Sequence, residues 1–110
     1  MADIVKMNIR SLAKKLKRPA IAHKGDCGRL LILAGSRGMT GAAHLAGMGA
    51  LRAGAGLVTV GVPDAVYGIV ARREAELMVR PFPSTSQGSF SLKGFSAIRQ
   101  ACSGQDVLAL

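Results

Sequence analysis

The chain has 110 residues, enough for one small domain; 49% of them are hydrophobic, 19% are charged and 14 are glycine. This composition favours a folded α/β protein over an intrinsically disordered one. The formal net charge of +9 raises the question of nucleic-acid binding, but no aromatic residue lies among the basic residues of the first 29 positions to stack on a base, so a solvated basic face is the better interpretation.

The cysteines and the lengths of the apolar runs argue against several other classes of protein. Cys27 and Cys102 match no zinc or CxxC spacing, so neither a metal site nor a disulfide framework is indicated, and a reducing cytoplasm is the expected location. No apolar run approaches the roughly 20 residues that cross a bilayer. The first 18 residues are rich in Lys and Arg, as organelle transit peptides are, but Asp3 and the single Ser11 of that stretch argue against one.

The amino-terminal segment predicts an amphipathic helix. Val5, Ile9, Leu12 and Leu16 recur at helical spacing, which predicts a helix over residues 3–17 with the basic side chains on its other faces. We interpret it as a packing helix or an arm. A helix on a membrane surface is the less favoured alternative, because the apolar stripe is short.

A strand, a glycine loop and a helix follow. The run RLLILA at residues 29–34 predicts a strand that is buried on both faces of a parallel sheet. Residues 35–43 (GSRGMTGAA) form a glycine-rich turn, and residues 42–53 predict a helix whose small side chains allow close packing on the sheet. This unit is typical of α/β proteins.

The same alternation continues to the last residue and predicts a parallel sheet with right-handed crossovers. The predicted elements are a strand at 57–62, a helix from Pro63 to Arg72, a strand at 77–79, an irregular loop at 81–91, a helix at 92–102 and a strand at 106–110. The final strand, DVLAL, has the composition of a buried central strand. Its position at the chain end predicts a truncated domain.

The segment 35–43 is the best candidate for ligand binding. It lies at the carboxyl end of a strand and the amino end of a helix, where open α/β sheets bind ligands and where free N–H groups favour anions. A plain βα connection is the alternative. The segment is not a P-loop, because the lysine and its spacing are missing, and Gly47 and Gly49 do not begin a dinucleotide fingerprint, because Arg52 stands at its third glycine position.

Few side chains could carry acid–base or metal chemistry. His23 and His44 are interpreted as ordinary loop or surface histidines. Asp64 is predicted to cap a helix and Asp106 to begin a strand. Asp26, beside Lys24 in the turn before the first strand, is the one carboxylate that we retain as a candidate site residue.

Three stretches together resemble one enzyme family, the NAD(P)H-hydrate dehydratases. Residues 23–63, HKGDCGRLLILAGSRGMTGAAHLAGMGALRAGAGLVTVGVP, resemble the start of the family's domain; AELMVRPFP at 75–83 and DVLAL at 106–110 resemble two later strands. The resemblance covers residues 18–110. It implies a ribokinase-like three-layer α/β/α fold with a mainly parallel sheet that is incomplete in this chain. Residues 1–18 would form an amphipathic basic helix and residues 19–110 the amino-terminal part of the domain.

The resemblance also implies an activity. Members of the family dehydrate the S epimer of hydrated NADH or NADPH back to the normal cofactor, a carbon–oxygen lyase reaction that consumes ADP or ATP and uses Mg²⁺. Phosphorylation of the hydroxyl by the nucleotide would replace a poor leaving group with a good one. The expected partner is this small-molecule substrate, without nucleic acid or membrane, and a homo-oligomer is expected as a candidate assembly.

Candidate site residues follow from the aligned motifs. Ala42 matches the position at which relatives contact the hydrated dinucleotide, and Gly35, Ser36 and Gly41 shape its loop; Lys24 and Asp26 are candidates for the substrate rim. Met39 stands where many relatives have tyrosine. The family's catalytic, nucleotide-binding and metal-binding residues have no counterpart before Leu110, so the resemblance assigns none here and the chain is expected to be inactive alone.

Two other functions remain as alternatives. The chain could be a catalytically dead remnant that acts as a basic interaction module through residues 3–17. It could also belong to another ribokinase-like kinase acting on a small vitamin alcohol, since such enzymes share the fold and differ in their loops.

Overall fold

A computed structural model describes residues 8–17 and 27–110. The first helix, α1 (Ile9–Leu16), begins at Asn8, whose side-chain oxygen accepts a hydrogen bond of 3.0 Å from the backbone N–H of Arg10. The apolar residues Ile9 and Leu12 are 80% and 40% exposed. The predicted helix is therefore confirmed over residues 9–16, while residues 3–7 of the prediction lie outside the described part of the chain.

The described strands form one four-stranded, all-parallel sheet in the order β3-β2-β1-β4. Strands and helices alternate along the chain, as predicted. Their bounds are β1 (Arg29–Leu33), α2 (Thr40–Arg52), β2 (Leu57–Pro63), a 3₁₀ turn (Asp64–Val66) that runs into α3 (Tyr67–Ala71), β3 (Met78–Phe82), a 3₁₀ turn (Leu92–Gly94) that runs into α4 (Phe95–Cys102), and β4 (Val107–Ala109).

Each face of the sheet has its own core, because alternate residues of a strand point to opposite faces. Val58, Val60 and Val62 of β2 pack with Ala43 of α2 and Val70 of α3 on one face. On the other face, Leu31 and Phe82 pack with Ala101, which lies in α4. The helices thus form a layer on each side of the sheet, which confirms the three-layer α/β/α fold.

Glycine allows close contacts on both faces of β2. A Cβ added at Gly47 would lie 2.7 Å from Cδ2 of Leu77, and one added at Gly61 would lie 2.6 Å from Cε2 of Phe82. Neither distance leaves room for a methyl group. The small residues that predicted close helix-on-sheet packing therefore have this role at Gly47 of α2, whereas Gly61 of β2 leaves room for Phe82 and Leu33 of the neighbouring strands.

Two details differ from the prediction. β3 continues to Phe82 instead of ending at residue 79, because it is an edge strand, and an edge strand tolerates Pro81 where a central strand would lose a hydrogen bond. β4 has the composition of a central strand but lies at the other edge of the described sheet, paired with β1 alone. Asp106, predicted to begin this strand, lies one residue before β4, and its carboxylate accepts a 2.8 Å hydrogen bond from the N–H of Arg29.

Candidate functional site

The loops at the carboxyl edge of the sheet form the candidate site. Because all four strands are parallel, the segments that follow β1, β2 and β3 meet at this edge. The strand order also reverses between β1 and β4, since β2 and β3 lie on one side of β1 and β4 lies on the other. In open α/β sheets, ligands bind in the crevice outside such a reversal.

The glycine loop, residues 35–39, connects β1 to α2 in a tight turn. Gly35 and Gly38 have φ angles of +91° and +82°, in the left-handed region that favours glycine. A Cβ added at Gly35 would lie 3.3 Å from Cβ of buried Ala43, and the N–H of Met39 donates a 2.9 Å hydrogen bond to the carbonyl of Ser36. These contacts hold the loop against the first turn of α2.

The first turn of α2 provides an electropositive surface. Met39 makes no side-chain hydrogen bond that caps the helix, and the turn contains no acidic residue, so its unpaired N–H groups are available to a ligand. Ala42 is exposed there. A Cβ added at Gly41 would lie 3.7 Å from Nη1 of Arg73, which brings a guanidinium beside this turn. The arrangement favours a phosphate or another anion.

The segment after β3 folds back as a turn that we call the serine turn, residues 84–90. Its two ends meet in an antiparallel bridge between Ser84 and Phe90. Its carbonyl at Gly88 accepts a 3.0 Å hydrogen bond from the N–H of Arg37, and a Cβ at Gly88 would lie 2.6 Å from Cβ of Arg37. The serine turn therefore packs directly on the glycine loop and forms a second wall at this edge.

Asp64 contacts the first residue of the serine turn. Its Oδ1 accepts a hydrogen bond from the hydroxyl of Ser84. The prediction that Asp64 caps a helix is wrong, because Pro63 occupies the cap position, no side chain caps the 3₁₀ turn, and the carboxylate instead contacts Ser84. Asp64 is exposed at the end of β2. It adds an acidic group to an edge that is otherwise lined by hydroxyl groups and arginines.

Four of the predicted site residues lie together, namely Gly35, Ser36, Gly41 and Ala42. Lys24 and Asp26 lie outside the described residues. Sequence reasoning missed Arg37, Asp64, Arg73 and Ser84. Of these four residues, only Arg37 could have been found from the sequence, because it lies inside the glycine loop. The other three lie in distant parts of the chain and reach this edge through the fold.

His44 and the possible metal ligands are the other groups that could carry site chemistry. His44, interpreted as a loop or surface residue, lies in α2 and is half-buried, with Nδ1 lacking a hydrogen-bond partner. Within residues 8–17 and 27–110, no group of three or more His, Cys, Asp and Glu side chains could hold a metal ion. In the same ranges, no helix has both the length and the apolarity to cross a membrane.

Comparison with known proteins identifies the family. Residues 30–100 match the family described as NAD(P)H-hydrate dehydratase. Over 94 residues, 86% of the chain and 18% of the relative, the sequence is 44% identical to the bifunctional NAD(P)H-hydrate repair enzyme Nnr of Moorella thermoacetica. It is 46% identical over 54 residues, 49% of the chain and 20% of the relative, to the ADP-dependent (S)-NAD(P)H-hydrate dehydratase of Bacillus subtilis.

Solved structures agree with this match. A ribokinase-like superfamily protein from Enterococcus faecalis has a TM-score of 0.65 at 25% identity, over 84% of this chain and 29% of that one. The ADP/ATP-dependent NAD(P)H-hydrate dehydratase of Bacillus subtilis, co-crystallized with ATP and Mg²⁺, has a TM-score of 0.54 at 40% identity, over 59% and 24%. The chain spans about a fifth of the length of these two curated relatives. On the match over residues 30–100, it belongs to the NAD(P)H-hydrate dehydratase family.

Proposed function

We propose that this chain provides part of the substrate cleft of an enzyme that dehydrates the S epimer of hydrated NADH or NADPH, with ADP or ATP as co-substrate. The observation that carries the proposal is the position of the glycine loop. It lies at the carboxyl edge, beside the strand-order reversal, and leads into the uncapped first turn of α2.

The residues of this edge suit a dinucleotide. The N–H groups at the start of α2 and the guanidinium of Arg73 would bind the pyrophosphate, which carries the substrate's negative charge. Ala42 is small and exposed, so the backbone of the turn stays accessible to the ligand. Gly35 and Ser36 would fix the distance between β1 and the ligand by keeping the loop tight.

The chemistry needs more than these residues provide. The nucleotide would supply a phosphoryl group to the substrate hydroxyl, since phosphate leaves much more readily than hydroxide. We assign no base for that hydroxyl, no nucleotide site and no Mg²⁺ site within the described ranges. We therefore propose that residues 19–110 contribute to substrate binding as the amino-terminal part of a longer domain, with the basic segment 1–18 preceding it.

Location and assembly belong to the same proposal. Hydrated NADH and NADPH form wherever the cofactors are used, so we propose that the protein acts in the cytoplasm, in agreement with its two free cysteines. A homo-oligomer stays a prediction, as does the absence of nucleic-acid and membrane partners. Lys24 and Asp26 stay candidates for the substrate rim.

A binding experiment with the 110-residue chain tests the site. We expect isothermal titration calorimetry to detect binding of hydrated NADH, and Ala42→Leu to weaken it at least about tenfold, because the larger side chain would cover the first turn of α2. Ala46→Leu is the matched control, since Ala46 is also exposed and lies one turn further from the loop. Equal losses in the two variants would contradict the proposed site.

A turnover experiment tests whether this chain binds the substrate without converting it. We expect the 110-residue chain to bind hydrated NADH but not to convert it to NADH in the presence of ADP and Mg²⁺, as followed by the absorbance of the dihydronicotinamide. Turnover by this chain would contradict the proposal that catalysis needs further residues. Binding of a small vitamin alcohol but not of hydrated NADH would favour the other ribokinase-like kinase.

A further inference from the structure

We propose that α1 docks in a groove at the amino edge of the sheet of the same chain, with Ile9 and Leu12 on the apolar floor and Lys15 beside Glu76. We call this surface the amino-edge groove. It lies at the edge of the sheet opposite the glycine loop, so the inference is independent of the proposed function.

α1 needs a packing partner to be a stable helix. It has eight residues, and isolated helices shorter than about 12–15 residues are marginal in water. Ile9 and Leu12 are three residues apart and share one helix face, yet they are 80% and 40% exposed. Short helices in proteins are stabilised by packing of such a face. α1 therefore requires an apolar surface that can cover these two side chains.

The amino-edge groove is a surface of this kind. It lies between the end of α2 and the amino ends of β2 and β3, with a volume of about 610 Å³. Leu51, Leu57 and Met78 provide apolar lining, and Met78 is 46% exposed. Among the described residues that line the groove, Glu76 alone is charged. The groove thus combines an apolar floor with one acidic group.

The chain that follows α1 enters the sheet beside this groove. The N–H of Gly56, which lines the groove, donates hydrogen bonds to the carbonyls of Cys27 at 3.3 Å and Gly28 at 3.1 Å. Only residues 18–26 separate α1 and Lys17 from Cys27, and nine residues span at most about 30 Å. Sites joined by so short a connection meet at an effective concentration on the order of millimolar. This proximity favours docking within one chain over docking between two copies.

The charges of the two surfaces are complementary. All charged residues of the segment 8–17 are basic, and Lys15 lies three residues after Leu12, so it flanks the apolar face of α1. With Leu12 on the groove floor, Lys15 is the basic side chain nearest to the exposed carboxylate of Glu76. Lys14 lies on the opposite face of the helix and stays in solvent.

Hydrogen exchange of the full chain tests the docking. The N–H of Leu12 donates a 2.9 Å bond to the carbonyl of Asn8, so its exchange rate reports the stability of α1. We expect at least about tenfold protection of this amide in the original chain and loss of most of it in Met78→Ser. Leu45→Ser is the matched control, because Leu45 is a 71% exposed apolar residue of α2 outside the groove, and it should leave the protection unchanged.

A charge exchange tests the register of the helix in the groove. We expect Lys15→Glu to reduce the protection of α1 about threefold, and the addition of Glu76→Lys to restore it. Lys14→Glu is the control for the effect of the new charge on the helix itself, because it places the same charge in the same turn. Glu76→Lys should not restore the protection that Lys14→Glu removes.

Several outcomes would overturn the inference. An unprotected Leu12 amide in the original chain would do so, as would equal protection in Met78→Ser and Leu45→Ser. Protection that rises with protein concentration would mean that α1 docks on a second copy instead of its own chain. If Met78→Ser unfolds the chain, as judged by circular dichroism, the charge exchange decides, because a failure of Glu76→Lys to restore protection to Lys15→Glu would contradict the docked position.

Discussion

Two glycines of α2 differ in their surroundings, and this difference predicts opposite effects on stability. Replacing either by Ala raises helix propensity by about 1 kcal/mol. At Gly47 the new Cβ would lie 2.7 Å from Leu77 and 2.9 Å from Val60, both buried, whereas at Gly49 nothing lies within 4 Å. We expect Gly47→Ala to lower the free energy of unfolding by about 1–3 kcal/mol and Gly49→Ala to raise it by about 0.5–1 kcal/mol.

Urea unfolding followed by circular dichroism measures both changes, and each variant is the control for the other. A stabilising Gly47→Ala would mean that α2 does not lie as close to β2 as the structure has it. A destabilising Gly49→Ala would mean that its outer face contacts another surface in solution.

At the same scale, sequence reasoning found the site residues that belong to one continuous motif and missed the others. Gly35, Ser36, Gly41 and Ala42 follow one another around a strand–loop–helix connection, so their proximity is fixed by local geometry. Arg73 approaches this edge because α3 lies beside α2, and Ser84 because β3 pairs with β2; no local pattern specifies either contact. Asp64 was misinterpreted because an Asp after a Pro is common at helix starts, and its bond to Ser84 depends on tertiary structure.

At the scale of elements, the contact between the serine turn and the glycine loop can be tested with a pair of glycines. Gly88 and Gly38 have nearly equal φ angles, +80° and +82°, so Ala costs about 1–2 kcal/mol of backbone strain at each. Only at Gly88 would the Cβ also meet Arg37, at 2.6 Å, since nothing lies within 4 Å of Gly38. We expect Gly88→Ala to be the more destabilising variant by about 1–2 kcal/mol.

Amide exchange distinguishes this contact from a general loss of stability. The N–H of Arg37 donates to the carbonyl of Gly88, so it should exchange faster in Gly88→Ala, while the amides of β1 and β2 should keep their order of protection. If Arg37 exchanges at the same rate in both variants, the serine turn does not cover the glycine loop in solution.

Asp106 links β4 to the sheet, and this contact gives a second prediction at the scale of elements, for the free energy of unfolding. Its carboxylate accepts from the N–H of Arg29 at 2.8 Å, and its own N–H donates to the carbonyl of Arg29 at 2.8 Å. Asp106→Ala removes the first bond and keeps the second, so we expect a loss of about 1 kcal/mol in unfolding free energy. Gln105→Ala is the control, and an equal loss there would contradict the role of the carboxylate.

The predicted elements were reliable where side-chain pattern and turn residues agreed. β1 and β2 are continuous apolar runs bounded by glycine, and both were located within one residue of their observed bounds. α2 begins at Thr40, two residues before the prediction, because Gly41 was assigned to the loop although its backbone is helical. β3 was predicted too short because Pro81 suggests a break, and its position at a sheet edge cannot be seen in the sequence.

For the whole molecule, the alternation of strands and helices predicted the parallel sheet and the three layers, since right-handed crossovers leave few other arrangements. It did not predict the strand order. The order β3-β2-β1-β4 is what places the reversal beside the glycine loop and makes this edge the candidate site. Strand order depends on which strands pair edge to edge through backbone hydrogen bonds, which no local pattern specifies, so it needed the structure or the family resemblance.

The net charge of +9 gives the last prediction, which separates the enzyme hypothesis from the basic interaction module. The described basic side chains in α1 and directly after it are exposed, namely Arg10, Lys14, Lys15 and Lys17. Exposed basic side chains also lie in other parts of the chain, namely Arg52, Arg72 and Arg99. If the charge is a solvated surface, retention on a heparin column depends on net charge more than on location. We therefore compare two triple variants. The lysine variant combines Lys14→Gln, Lys15→Gln and Lys17→Gln, and the arginine variant combines Arg52→Gln, Arg72→Gln and Arg99→Gln. We expect both to elute at similar salt concentrations, lower than that of the original chain.

Each triple variant lowers the formal net charge from +9 to +6, so the comparison holds charge constant and changes only its position. Earlier elution of the lysine variant alone would identify α1 as a docking element and favour the interaction module. Retention by charge does not depend on the apolar side chains of α1, so adding Leu12→Ser to the lysine variant should change nothing further. A further shift on that substitution would mean that the apolar stripe, whose Leu12 is 40% exposed, contributes to binding as an amphipathic surface does.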